Sequence, residues 1–117
     1  MRIALSLCAA AMLAACGQPA SDLPPGDPRN GKLLLRQFGC GSCHQIPGVA
    51  DAVGRVGPPL HGVGGRAYLG GVLPTTPANM AAFIQAPERF APRTRMPNLG
   101  VAPEHARDMV AYLYTLE

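Results

Sequence analysis

Apolar residues fall into three stripes of helical period and one apolar stretch, with unpatterned segments between them. Near the end of the chain, Ala106, Met109, Val110 and Leu113 recur at i, i+3, i+4 and i+7. That is one face of an amphipathic helix, predicted over 103–116. Pro103 opens it, and Glu104 sits where the positive end of the helix dipole favours a carboxylate. A middle helix starts at Thr76-Pro77 and ends before Pro87, with Met80, Phe83 and Ile84 facing inward. A first helix starts at Asp27-Pro28, an N-cap followed by proline at the first helical position, and runs to about Phe38. Gly31 inside it costs roughly 1 kcal/mol against alanine, so another helix is expected to cross there. The last helix is the natural partner. No stretch alternates as a strand would, so the predicted class is all-α.

The apolar stretch, Ile3 to Leu13 behind Met1-Arg2, has the layout of an export signal and is too short to span a membrane. It ends in Leu13-Ala14-Ala15-Cys16-Gly17, which resembles a bacterial lipobox. The resemblance implies cleavage before Cys16 and a lipid on its sulfur; a plain signal cut elsewhere is the alternative. Gly17 to Pro28 carries four prolines and no apolar period. It reads as a semi-extended tether reaching on the order of 35 Å, or else as an arm packed on the domain. The expected organisation is a leader over 1–15, an anchor and tether over 16–28, and a domain over 29–117.

Composition narrows what that domain can be. Only 15% of residues are charged, which excludes a charge-rich disordered chain, and 117 residues exclude a two-domain enzyme. Aromatics make up 5%, tryptophan is absent, and there are 14 glycines and 13 prolines. A chain this poor in large side chains usually completes its core with a metal, disulfides or a cofactor. Loss of Arg2 with the leader takes the formal charge from +3 to +2, too little for a nucleic-acid binder.

Of the four cysteines, Cys8 is expected to leave with the leader, and the lipobox resemblance makes Cys16 the lipidation site. Cys40 and Cys43 remain, within Cys40-Gly41-Ser42-Cys43-His44, the Cys-x-x-Cys-His signature of covalent haem c attachment. Two thiols three apart on one turn can each reach a haem vinyl group, and His44 then lies beneath the iron. Zinc would need two more ligands, and His61 and His105 stand apart. A thioredoxin-like pair would need a strand before it, where a helix is predicted. A simple disulfide is the remaining alternative. Between His44 and Thr76 runs a stretch of about 30 residues without regular structure, unusual unless it wraps a large apolar group.

Residues 29–117 as a whole resemble a class I cytochrome c: helix, CGSCH, Gly-Pro loop, middle helix, methionine loop and closing helix. In Gly57-Pro58-Pro59-Leu60-His61-Gly62, the resemblance makes the Pro58 carbonyl the acceptor for His44. It sets Arg66 near a haem propionate, with Tyr68 a substitute for the family's propionate tryptophan or merely a packing residue. It also puts Tyr112 near Gly31 and Leu35. Arg95-Met96-Pro97 resembles the family's ligand segment, so Met96 is the expected second axial ligand. Met80 and Met109 lie on inward helix faces, where packing explains them; His61 and His105 are the rival ligands. Lys32 is the single lysine, so any basic docking ring would use Arg55, Arg89, Arg93 and Arg95.

With both axial positions filled no substrate site is open, so no catalytic residue is expected. The expected function is that of a lipid-anchored, monomeric single-electron carrier with one haem c, facing the periplasm or cell exterior. Gly70 to Pro74 resembles cytochrome domains fused to oxidase subunits, which makes a terminal oxidase the expected redox partner. The alternatives are a haem subunit of a dehydrogenase complex, or a gas-binding or peroxidatic protein with a labile Met96.

Overall fold

The structure is a computed structural model and describes Leu23 and residues 25–116. The expected leader and Cys16 lie outside the described residues. Among the described residues three α-helices carry the fold: α1 (Pro28–Gln37), α2 (Pro77–Gln85) and α3 (Pro103–Leu113). Short 3-10 turns at Cys40–Ser42, Val63–Gly65 and Pro87–Arg89 punctuate the loops between them. Among the described residues no helix is long and apolar enough to cross a membrane.

α1 begins where its sequence says it should. The Asp27 side chain accepts from the Arg29 N–H at 2.9 Å, and Pro28 follows at the first helical position. Gly31, Leu34 and Leu35 form its buried stripe. α3 crosses at Gly31, where a Cβ would run into the Asp108 carbonyl. Asp108 then binds the start of α1, taking the Asp27 N–H at 2.8 Å and the Asn30 side-chain amide at 2.7 Å. The α3 face predicted from periodicity is the one that is buried: Ala106, Met109, Val110 and Leu113. α2, capped by the Thr76 hydroxyl, packs against α3 and buries Met80 and Ala81.

Two details differ from the sequence reading. The last helix stops at Leu113, short of the expected 116. The chain end turns off instead, with Leu116 accepting from the Gly62 N–H at 2.8 Å. A small antiparallel ribbon also exists, β1 (Tyr68–Leu69) against β2 (Leu73–Pro74). Gly70 and Gly71 both have positive φ, and the Val72 N–H bonds the Leu69 carbonyl, the tight turn that suits a hairpin's twist.

Candidate functional site

Phe38 is the C-cap of α1, and a left-handed Gly39 directs the chain into the Cys40–Ser42 turn. The Cys43 and His44 N–H groups both bond back to the Cys40 carbonyl, at 3.2 and 3.0 Å. That single turn carries Cys40, Cys43 and His44 to the wall of one cavity. Both cysteines are half-buried free thiols. Burial pushes the Cys40 thiol's pKa up, so the uncharged form faces the cavity.

The His44 ring is fixed by the opposite strand of the following loop. Its Nδ1 lies 2.7 Å from the Pro58 carbonyl oxygen. A carbonyl can only accept, so Nδ1 is the donor, and in the neutral ring Nε2 then keeps a free lone pair, as a metal ligand requires. Gly57 lies flat against the ring; a Cβ at that position would overlap the imidazole. Its own N–H bonds the Cys43 carbonyl at 2.7 Å, so the loop is tied to the turn it serves.

Met96 reaches the same cavity from the segment between α2 and α3. This loop is braced locally. The Met96 N–H bonds the Thr94 hydroxyl at 3.1 Å, and the Asn98 amide donates to Glu88 at 2.9 Å. Asn98 holds the Glu88 carboxyl below its usual pKa range.

The cavity has a volume of about 440 Å³ and apolar walls, including Leu35 from α1, Ile84 from α2 and Met109 and Leu113 from α3. Polar side chains enter its lining only at Ser42, His44, Thr94 and Arg95. Two thiols, an imidazole with an open nitrogen and a thioether around an apolar hollow fit a haem c. The thiols would hold its vinyl carbons, the walls would cover its ring, and Arg95 is the cation available for its carboxylates. Among the described residues, no group of three or more His, Cys, Asp or Glu could hold a bare metal ion.

Of the residues singled out from sequence, Cys40, Cys43, His44, Pro58 and Met96 are thus brought together. Arg66 and Tyr68 are not. The Arg66 guanidinium is spent on the loop itself, donating to the Pro59 carbonyl and, at 3.1 Å, to that of His61. Tyr68 stands in β1, 60% exposed and away from the lining. Tyr112 packs against the core cluster that holds Leu35. Its hydroxyl binds the Pro47 carbonyl at 2.6 Å, while Gly31 meets the backbone of Asp108 and Met109. Among the rival ligands, His61 is exposed and His105 packs edge-on against Phe38, with ring centroids 6.2 Å apart. Arg95, Thr94 and Ser42 were not identified as lining from the sequence; their adjacency to Met96 and Cys43 was the available signal.

The family model described as Cytochrome c matches residues 28–117. The chain belongs to the cytochrome c family. A cytochrome c from Ginkgo biloba is 29% identical over 106 residues, covering 80% of this chain and 91% of that protein. The crystal structure of cytochrome c2 from Rhodobacter sphaeroides superposes with a TM-score of 0.53 at 21% identity. That match spans 78% of this chain and 96% of the other, and shows a shared cytochrome c fold. As a family member the chain is an electron-transfer protein, not an enzyme, and carries one covalently attached haem c.

Proposed function

We propose that this cytochrome is a membrane-tethered respiratory carrier whose iron is held between His44 and Met96. The observation that carries the ligand assignment is the His44–Pro58 hydrogen bond, which leaves Nε2 free in a cavity that Met96 also lines. When bound, haem supplies a one-electron iron couple. His44 is held in one tautomer and one ring orientation, so it need not reorganise as the charge changes. Met96, a soft thioether, favours the reduced state more than a second imidazole would. The apolar walls would cover the ring, and with His44 and Met96 both holding the iron no position would be left for a substrate. The leader and lipobox pattern support a lipid on Cys16 and a periplasmic or outer face. The resemblance of Gly70–Pro74 to oxidase-fused domains supports a terminal oxidase as the acceptor.

Two measurements test this reading. The oxidised protein should show the long-wavelength sulfur–iron absorption band, lost in Met96→Leu, and the reduced protein should bind carbon monoxide poorly until that substitution is made. Ready binding to the unaltered protein would contradict closed ligation. Intact mass of the mature chain should begin at a diacylglyceryl Cys16; an unmodified N-terminus at another residue would remove the anchor.

A further inference from the structure

The loop that follows His44 is held from α3 by a side chain that the proposed electron transfer does not use. The Tyr112 hydroxyl donates to the Pro47 carbonyl at 2.6 Å, joining positions 65 residues apart in sequence. Gly48, with φ of 80°, makes this possible, because a Cβ there would strike the phenol oxygen. From that turn, backbone bonds lead to the partner of His44. The Gln45 carbonyl accepts from the Leu60 N–H at 2.9 Å, two residues beyond Pro58. The Cys43 carbonyl accepts from Gly57 at 2.7 Å, one residue before it. Segments 43–47 and 57–60 are therefore one bonded unit, and Tyr112 ties that unit to a helix that buries Ala106, Met109, Val110 and Leu113.

We propose that Tyr112 is a positioning residue for His44, acting through the Pro47 turn to keep the Pro58 carbonyl seated on Nδ1. The role matters to electron transfer only if His44 is the iron ligand, so it rests on the reading above. Burial raises the phenol's pKa, so it remains a donor across the neutral range. Tyr112→Phe removes the hydroxyl and leaves the ring in its packing.

The test is solvent exchange of the His44 Nδ1 proton, followed by NMR in the reduced holoprotein. Tyr112→Phe should speed that exchange by about five- to tenfold, the size expected for loss of one hydrogen bond. Thr115→Val is the control, since it removes a hydrogen bond from the Thr115 hydroxyl to the Tyr112 carbonyl on the same turn. It should change the rate by less than about twofold, a small fraction of a hydrogen bond's effect. Equal acceleration in both variants, or none in Tyr112→Phe, would overturn the proposal and leave Tyr112 a packing residue. Should Tyr112→Phe fail to fold, Gly48→Ala displaces the turn from an intact phenol and is expected to accelerate the exchange likewise. Failure of the ligand assignment would look different: the unaltered protein would lack ring-current-shifted His44 resonances before any variant was compared.

Discussion

Gly57 shows how little freedom the site leaves to single residues. Its missing side chain lets the His44 ring lie against the backbone, and its N–H ties that backbone to Cys43. Gly57→Ala should therefore tilt the imidazole and lengthen its bond to Pro58. Overpacking of this kind costs roughly 1–3 kcal/mol. A denaturant titration of the holoprotein should show that loss, and an unchanged midpoint would mean the loop yields without cost. What could be read at this scale from sequence was the part fixed by covalent chemistry: Cys40, Cys43 and His44 must be adjacent to serve one haem. Arg66 could not be read the same way. Its partner depends on how the loop folds back, and the carbonyls of Pro59 and His61 happen to lie within its reach.

Among the elements, the crossing of α1 and α3 does the most to hold the scaffold. Its polar fastening is Asp108, whose carboxyl is held below the usual range, first by the Asn30 amide and then by the Asp27 N–H. A lowered pKa in the folded state means the fastening is fully present above the unfolded aspartate value of 3.8. It is lost as pH falls through the lower, folded value. Asp108→Ala should thus destabilise the protein at neutral pH by about 1 kcal/mol, the usual net worth of a hydrogen bond. The urea midpoints of variant and parent should converge in acid; a gap that stays constant with pH would contradict this. The helices were legible because each buried stripe repeats at helical spacing and each begins at a proline. The ribbon was not, since two residues per strand cannot display alternation, and the Gly70-Gly71 turn is what pairs them.

The whole molecule is arranged around a hollow that its own side chains do not fill. Leu35, Ile84, Met109 and Leu113 come from all three helices, yet they line the cavity and leave it open. The shortage of large residues and the long irregular loop both pointed to a cofactor at the centre. Neither could show which polar groups would meet it, because Arg95 and Thr94 reach the cavity only through the path of the methionine loop. Three buried or half-buried methionines remain in the described fold: Met80 and Met109 inside helices, and Met96 in that loop. The most direct test of the account is the proton NMR spectrum of the reduced holoprotein. One methionine methyl should appear far upfield, shifted by the haem ring current, and vanish in Met96→Leu while surviving Met80→Leu and Met109→Leu. No such methyl signal, or one that persists without Met96, would contradict the account.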